Sequence, residues 1–447
     1  MNVDPTPYRG HREALLQKLR ETNTAALLFT NEPRTRSNDT EYLFRPNSDF
    51  WYLTGFREPG ACLVLLPGRD EGEAVMFVRP SVKEEETWTG RRLGVERAEV
   101  ELGLDDAFPI DLLWDELPKL LKGYERILYR NGEERERDSK VAELGEQLRR
   151  AARRTVLPPV EWIDPIPTLH EMRLRKSEVE LERMRRAAAI TCEAHMAAMA
   201  AARPGATEDE IDALLAYQFR KSGSTGAAYN NIVAGGANAC ILHYDTNDHT
   251  LQDGDLLLID AGCEWEYYAA DVTRTFPVNG RFSPEQRALY EVVLAAEKQA
   301  IAAIAPGVPC LRIHEIAQRV VCEGLIELGL LKGSVEENLK AGHLSRFFMH
   351  GTGHWLGLDV HDVGVYSTAK GEPRPFEPGM VTTVEPGIYV DPDDEEVEER
   401  WRGIGVRIED DVLVTADGHE VLTAACPKEI EEVEAACHAG SNLVSIS

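Results

Sequence analysis

A segment of sixteen residues, FFMHGTGHWLGLDVHD at positions 347–362, carries three histidines together with three glycines and two aspartates. The histidines are His350, His354 and His361. A lone histidine is usually an ordinary core or surface residue, but imidazoles in one short segment suit metal binding and proton transfer. Glycine lets the backbone approach a site closely or adopt unusual dihedral angles. The segment therefore indicates a chemical site.

Two aspartates form a second candidate site. Asp260 ends the apolar run DLLLID, and Asp271 follows eleven residues later in AADVTRTF. A tight hairpin with Trp265 and Glu266 at its tip would place the two acids directly opposite each other, with Cβ atoms ~5 Å apart. Two carboxylates held that close repel, and a buried cation relieves the repulsion. Taken alone, the pair is also compatible with two exposed hairpin acids.

A second acidic pair has the same form. Glu385 lies in MVTTVEPGIYV and Glu409 in GVRIEDDVLV, and the very polar insertion 391–402 between them is typical of a loop that joins antiparallel strands. Strand alternation places Arg407 on the same face as Glu409. A structural ion pair between Arg407 and Glu409 is therefore the alternative to a role for this acid in a site.

The pattern of the first half of the chain predicts an α/β unit. Residues 9–22 have helical periodicity, and residues 24–30 form the strand that follows. The runs SDFWYLTGF, ACLVLLPG and AVMFVRP predict adjacent strands, and SVKEEETWTGRRLG and LGEQLRRAARR predict helices. Residues 156–173 are rich in proline, which disfavours regular structure and indicates a linker. Because 447 residues exceed the usual single core, the length favours two domains over the alternative of one large α/β unit, and we expect the domain boundary in this segment.

The second half begins with a long helix. Ser177 precedes Glu180 by three residues, which is the spacing of a capping box, and Thr207 precedes Glu210 in the same way. Strands follow, with further helices at 283–304 and 311–328. This order predicts an α+β C-terminal domain.

Composition excludes several classes of function. The chain has 77 acidic and 49 basic residues, and its formal charge of −28 repels nucleic acid and anionic membranes. No apolar run approaches the ~20 residues that span a bilayer, and the N-terminal residues lack the pattern of a secretory signal. The eight cysteines are widely spaced without a C-x-x-C pair. We therefore expect a cytoplasmic protein with reduced thiols, without disulfides or a zinc-thiolate site.

Five segments, taken in order, resemble the metal-site motifs of the pita-bread metallopeptidases, and within them the bacterial Xaa-Pro aminopeptidases (aminopeptidase P). They are HYDTN, IDAGCEWEYYAADVTRTFPV, HGTGHWLGLDVHDVG, TVEPGIY and GVRIEDD. NSDFWYLTGF and WTGRRLG resemble the first domain of the same family. The resemblance implies an α+β protein in which a pita-bread (creatinase/aminopeptidase) catalytic domain, 174–440, follows a smaller α/β domain, 1–173. The N-terminal domain would contain a mixed sheet and serve oligomerisation and substrate access.

The resemblance also implies two divalent metal ions. Asp271 and Glu409 would bridge them. Four carboxylates with one imidazole form a hard, oxygen-rich set that favours Mn²⁺ over a thiolate-seeking metal, with cobalt or iron as the alternatives. The implied ligands are Asp260, Asp271, His354, Glu385 and Glu409.

The implied activity is release of the N-terminal residue from peptides with proline in second position, through attack by a metal-bridging hydroxide. His243, His361, Glu385 and Arg407 would act in catalysis, with His361 stabilising the oxyanion and Glu385 moving the proton. The implied substrate contacts are Tyr229, His350, Tyr389 and Trp88. Trp88 would come from a neighbouring subunit of a homotetramer, with a homodimer as the alternative; packing within its own domain is the structural alternative for Trp88.

Four other functions compete with this one. Prolidase has the same ligands but requires a dipeptide, and it remains the alternative. Methionine aminopeptidase lacks a large N-terminal domain. Creatinase-like enzymes work without metal, and a binding module on the same scaffold would be expected to have lost ligands. The complete ligand set disfavours these last two.

Overall fold

A computed structural model of the chain describes residues 4–152 and 158–439. The chain divides into two compact units, Met1–Arg173 and Leu174–Ser447, and each has buried apolar clusters of its own. Residues 156 and 157 of the expected linker and residues 440–447 of the tail lie outside the described residues. No helix in the described part of the chain is long and apolar enough to cross a membrane.

A six-stranded mixed sheet forms the centre of the first unit, in the order β6-β5-β4-β1-β7-β8. β4 runs antiparallel to both of its neighbours, whereas the remaining pairs are parallel. The strands of this sheet are β1 (Thr24–Phe29), β4 (Cys62–Leu65), β5 (Ala74–Val78), β6 (Asp106–Pro109), β7 (Arg126–Leu128) and β8 (Glu161–Ile163). A separate exposed hairpin consists of β2 (Thr35–Ser37) and β3 (Thr40–Glu41).

The predicted helices of the first unit are confirmed in part. The N-terminal one is present, residues 90–93 of SVKEEETWTGRRLG are not helical, and residues 153 and 154 of LGEQLRRAARR lie outside the described residues. The helices in the described residues of this unit are α1 (Thr6–Arg20), α2 (Ser48–Thr54), α3 (Lys83–Thr89), α4 (Gly94–Glu101), α5 (Leu113–Leu120) and α6 (Arg135–Ala151), and α7 (Glu171–Leu174) spans the boundary between the units.

The prediction of a strand at SDFWYLTGF is wrong, because these residues form α2. The Asn47 side chain accepts hydrogen bonds from the backbone N–H groups of Asp49 (3.0 Å) and Phe50 (3.2 Å), and Gly55 ends the helix with φ +66°. Every residue of the helix is buried. The aromatic residues that suggested a strand instead reflect burial, because a helix that is buried on all sides is apolar all round.

The proline-rich segment 156–173 is also more regular than expected. Glu161–Ile163 forms β8, which pairs in parallel with β7 at the edge of the sheet, and a helical turn follows at Ile166–His170. An edge strand needs hydrogen bonds on one side only, so nearby prolines are tolerated.

The second unit begins with the predicted capped helices. Ser177 and Glu180 form a capping box at the start of the first one, and the Thr207 hydroxyl accepts the N–H of Glu210 at 3.4 Å in the next. The helices in its described residues are α8 (Glu178–Ala201), α9 (Glu208–Lys221), α10 (Pro284–Ala302), α11 (Arg312–Glu327), α12 (Val335–Ala341) and α13 (Ile430–Ala439).

Small antiparallel sheets make up the rest of the second unit, with strand orders β10-β11-β14, β13-β12-β9, β15-β18-β19 and β16-β17. One buried cluster joins the helices to these strands. The strands are β9 (Gly226–Ala227), β10 (Ile232–Gly235), β11 (Leu256–Asp260), β12 (Cys263–Trp265), β13 (Tyr268–Ala269), β14 (Thr273–Pro277), β15 (Val381–Val384), β16 (Gly387–Tyr389), β17 (Gly405–Arg407), β18 (Asp410–Val414) and β19 (His419–Val421).

A buried ionic network connects α10 to β14 and β18. Asp410 accepts hydrogen bonds from Arg274 (2.7 Å) and Lys428 (2.5 Å), and Lys428 also donates to Glu297 at 2.6 Å. Burial, and then the Asp410 carboxylate, raise the pKa of Glu297 to about 8, although Lys428 opposes the shift. Glu297 therefore holds a proton at neutral pH.

Glu297→Gln is expected to flatten the pH dependence of stability. Because the pKa of Glu297 is raised in the folded state, its favourable contribution is complete below pH ~4.5 and declines as the pH rises to about 8. The free energy of unfolding of the wild type should fall by about 2 kcal/mol more than that of the variant between pH 6 and pH 8. Urea denaturation at both pH values measures the difference.

The matched control is Glu291→Gln on the same helix, because Glu291 forms an exposed pair with Arg287. That variant should retain the wild-type slope. A Glu297→Gln variant that also retains it would show that Glu297 is ionised in the folded protein at neutral pH.

Candidate metal centre and active site

The first acidic pair lies at an interrupted hairpin. Asp260, at the end of β11, pairs with Thr273 of β14, and Trp265 pairs with Tyr268 around a tip at Glu266 and Tyr267. Both tip residues have positive φ, as a two-residue hairpin turn requires. The predicted tip is one residue too early, so the prediction that Asp260 directly faces Asp271 is wrong by two positions.

Tyr229 nevertheless joins the two aspartates. Its hydroxyl lies 2.7 Å from Asp260 Oδ1 and also makes a short contact with Asp271 Oδ1. Asp271 is 5% exposed. The two carboxylates therefore share one site, as expected, although a side chain from the connection between β9 and β10, rather than direct pairing, brings them together.

The second acidic pair is formed as predicted by antiparallel strands. Val384 pairs with Asp410 and Gly387 with Arg407, in one continuous register. Glu385 and Glu409 therefore oppose each other at the break between the two ladders. The Glu409 N–H donates to the carbonyl of Thr273 at 3.1 Å, so that this hairpin is attached to the first.

The histidine segment is irregular and runs along β15. The His354 N–H donates to the Thr383 hydroxyl at 3.0 Å, and the Thr383 N–H returns a hydrogen bond to the His354 carbonyl at 3.0 Å. A Cβ on Gly353 would lie 2.1 Å from the Thr383 carbonyl oxygen. Glycine is thus required at this position because the two backbones are in direct contact.

These elements bring the predicted ligands together. One ligand atom each from Asp271, His354 and Glu409 lies within 4.8 Å of the others, which is a spacing that a metal ion can span. His354 Nε2 is 3.4 Å from Asp271 and 3.6 Å from Glu385. The predicted ligands Asp260 and Glu385 line the cavity beside this group.

The electrostatics of this group fit a cation. Burial and the neighbouring carboxylates raise the pKa of Asp271, Glu385 and Glu409. Burial opposes protonation of His354, but Asp271 and Glu385 raise its pKa to about 9. The buried carboxylates destabilise one another, and without a metal ion a protonated His354 would have to supply the compensating positive charge. A divalent metal ion stabilises a donor set of this kind.

The structural alternative for Arg407, an ion pair with Glu409, is not what the structure shows. Arg407 forms an ion pair with Asp260 at 2.6 Å and is connected to Glu409 through the Thr273 hydroxyl. It also donates to the Tyr389 hydroxyl at 2.9 Å. Arg407 therefore orients one predicted ligand directly and a second one indirectly.

The group opens into a cavity of about 250 Å³. The His361 ring lies 4.3 Å from the His354 ring at 84°, and His350 Nε2 lies 2.8 Å from the Tyr389 hydroxyl. Residues that line the cavity are Leu242, His243, Asp260, His350, Gly351, Gly353, His354, His361, Glu385 and Arg407.

Trp88 lies in the first unit, on α3, and 89% of it is exposed. The structure thus places it on the surface of its own unit, which disfavours the alternative of a packed domain aromatic.

Several residues of the site were missed by the sequence reasoning. The Thr273 hydroxyl donates to Glu409 Oε2 at 2.6 Å, and the Asp411 carboxylate accepts the N–H of Asp271 at 3.1 Å. Thr383 holds His354, as described above. The available signal was the clustering of threonine beside the acids, in DVTRTF and MVTTVEP, because a buried threonine in a strand usually has a polar partner.

Comparison with known proteins defines the class first. The model of metallopeptidase family M24 matches residues 182–416, and that of the aminopeptidase P N-terminal domain matches residues 8–129. The class defined by the fold and the site is therefore a metallopeptidase.

Comparison with individual relatives shows to which group of metallopeptidases the chain belongs. The chain is 45% identical over 429 residues to Xaa-Pro aminopeptidase of Escherichia coli, covering 96% of each chain, and 46% identical over 414 residues to that of Haemophilus influenzae, covering 93% of each. The structure of Pseudomonas aeruginosa aminopeptidase PepP superimposes with a TM-score of 0.96 at 48% identity, covering 99% of this chain and 100% of that one. The chain belongs to the Xaa-Pro aminopeptidases of metallopeptidase family M24 and is a metallo-exopeptidase. The expected α+β fold, with a pita-bread domain after a smaller mixed-sheet domain, is confirmed, and the prolidase alternative is not supported.

Proposed function

We propose that this enzyme releases the first residue from peptides with proline in second position, using two divalent ions, most favourably Mn²⁺, held by Asp260, Asp271, His354, Glu385 and Glu409. The observation that supports it is the buried cluster of mutually repelling carboxylates with one imidazole at the base of the cavity. Such ions, when bound, supply Lewis acidity and lower the pKa of water.

The side chains around the cavity have separate tasks in this proposal. His361 and His243 line the cavity beside the metal group and offer N–H donors to the carbonyl oxygen of the scissile bond. Glu385, opposite Glu409 and at the cavity wall, transfers the proton to the leaving nitrogen. Arg407 holds the Asp260 carboxylate in place.

The proline preference follows from the bond itself. An Xaa-Pro bond is a tertiary amide without N–H, so an enzyme that relies on that hydrogen as a donor cannot recognise it. His350 lines the cavity and would form one wall of the proposed substrate site. Tyr389, also a proposed substrate contact, is 1% exposed and makes a hydrogen bond to His350 through its hydroxyl. The Tyr229 ring remains a proposed substrate contact, although its hydroxyl is directed at the acids.

We also propose a homotetramer, or else a homodimer, assembled through the first unit. The described surface of that unit exposes Trp88 (89%), Leu43 (86%) and Tyr42 (58%). Exposed large apolar side chains of this kind favour association. The first unit, residues 1–173, would thus serve oligomerisation and substrate access, with Trp88 reaching a neighbour. A cytoplasmic location suits the eight free cysteines.

The test uses metal-stripped protein with and without added Mn²⁺, and the substrates Arg-Pro-Pro, Arg-Ala-Pro and Ala-Pro. Manganese-dependent release of arginine from Arg-Pro-Pro, with much slower release from Arg-Ala-Pro, is the expected result. Cleavage of Ala-Pro alone would contradict the proposal. Light scattering of the same preparation gives the oligomeric state, and a monomer would overturn the tetramer and the dimer alike.

A further inference from the structure

A histidine outside the cavity is hydrogen-bonded to the segment that carries the metal-site histidines. His314 lies in the first turn of α11, and its Nδ1 is 2.8 Å from the Thr352 hydroxyl oxygen. Thr352 is 1% exposed, and within residues 4–152 and 158–439 its hydroxyl has His314 as its one side-chain partner. Burial lowers the pKa of His314, so the contact is one between neutral groups at neutral pH.

The backbone of Thr352 is hydrogen-bonded to a proposed metal ligand. Its carbonyl accepts the N–H of Glu385 at 2.8 Å. Two residues later, the His354 N–H donates to the Thr383 hydroxyl at 3.0 Å. A shift of the peptide at 352 would therefore change the position of Glu385 and His354 relative to each other.

A second contact connects His314 to the same segment. Its ring lies 5.7 Å from the ring of Phe348, edge to face, and Phe348 lies 5.1 Å from the His350 ring in the same manner. Phe348 is 3% exposed. His314 thus touches the segment both before and after His350, so α11 serves as a fixed support for a stretch that has no regular structure of its own.

We propose that His314 is a positioning residue for the metal centre. Acting through Thr352, it sets the separation of His354 and Glu385 and thereby the affinity for the metal ion. This rests on the metal-dependent function proposed above. Groups that hold ligands in place without touching the metal commonly change metal affinity by about 10- to 100-fold when they are removed.

A double-mutant cycle on metal-stripped protein tests the pairing. His314→Leu and Thr352→Val each remove the contact, and each is expected to weaken Mn²⁺ binding about tenfold in equilibrium dialysis with metal analysis. The Mn²⁺ affinity of the double variant should also fall by about tenfold, and not by a hundredfold, because both substitutions remove the same interaction. His314→Asn retains a polar atom near the position of Nδ1 and should stay within about threefold of the wild type.

His343→Leu is the control, since His343 is an exposed histidine of the same unit that also makes a side-chain contact, with its Nδ1 3.2 Å from Asn338 Oδ1. Its Mn²⁺ affinity should equal that of the wild type. Single variants that melt at lower temperature but bind Mn²⁺ with wild-type affinity would overturn the proposal, and so would additive losses in the double variant. If His314→Leu does not fold, the Mn²⁺ affinities of Thr352→Val and His314→Asn test the proposal, since only the first of these variants should bind Mn²⁺ more weakly than the wild type. A wild-type protein that binds no Mn²⁺ would instead contradict the proposed function.

Discussion

Asp271→Asn is expected to lower kcat/KM for an Xaa-Pro peptide by at least about 10³-fold, or about 4 kcal/mol of transition-state stabilisation. Asp271 is at the centre of the carboxylate cluster, 3.4 Å from His354 Nε2, and is held by Tyr229 and Asp411. The asparagine amide is neutral and binds metal ions more weakly than a carboxylate. The variant therefore lacks one negative charge at the place where a cation would lie. Steady-state kinetics in Mn²⁺ measure the loss.

The same variant separates a metal-binding role from a structural one. Burial and the repulsion of Asp260 raise the pKa of Asp271, so its charge is unfavourable in the metal-free fold. Metal-free Asp271→Asn should therefore melt no lower than metal-free wild type. Added Mn²⁺ should raise the melting temperature of the wild type but not that of Asp271→Asn, because only a protein that binds the ion gains stability from it.

Asp253→Asn is the matched control, because Asp253 is an exposed aspartate that accepts one hydrogen bond from Asn279 at 2.8 Å. It should retain activity and the Mn²⁺-dependent increase in melting temperature. An Asp271→Asn variant that behaves like this control would remove Asp271 from the metal site.

Arg274→Met should cause the largest loss of stability, about 3–5 kcal/mol in the free energy of unfolding. Arg274 and Asp410 have fully buried side chains, paired at 2.7 Å. The guanidinium also donates to backbone carbonyls, namely those of Thr273 (2.9 Å), Glu409 (2.6 Å), Cys426 (3.0 Å) and Pro427 (2.9 Å). Its removal leaves these oxygens buried without that donor.

Denaturation of metal-free protein measures this loss independently of the ion. Arg287→Met is the control, since Arg287 has 45% of its side chain exposed and pairs with Glu291 on the helix surface. It should leave the free energy of unfolding close to that of the wild type, because exposed ion pairs contribute little to stability. A loss of similar size in both variants would show that the buried network contributes no more than a surface pair.

Helix starts could be predicted wherever the signal was local. Ser177 with Glu180 and Thr207 with Glu210 mark the starts of α8 and α9 within three residues, because a cap is made by atoms of one turn. The strands around Glu385 and Glu409 were predictable because alternation and a polar loop are equally local.

The errors arose where burial or packing overrode composition. The aromatic residues at 48–54 suggested a strand, but Asn47 and Gly55 delimit a helix that is buried throughout. The hairpin tip was placed one residue early, since positive φ at Glu266 and Tyr267 is not evident from those residue types.

By itself, the sequence marked the two acidic pairs, the histidine segment with its glycines and the elements that carry them, because residue type and short-range spacing suffice for these. The assignment of five of these residues as metal ligands was implied by the family resemblance. Only the tertiary structure decided which side chain meets which. Arg407 pairs with Asp260 across 147 residues of chain, and Thr273 holds Glu409 across 136. Contacts between such distant residues depend on how separate hairpins and helices pack, which no local pattern records.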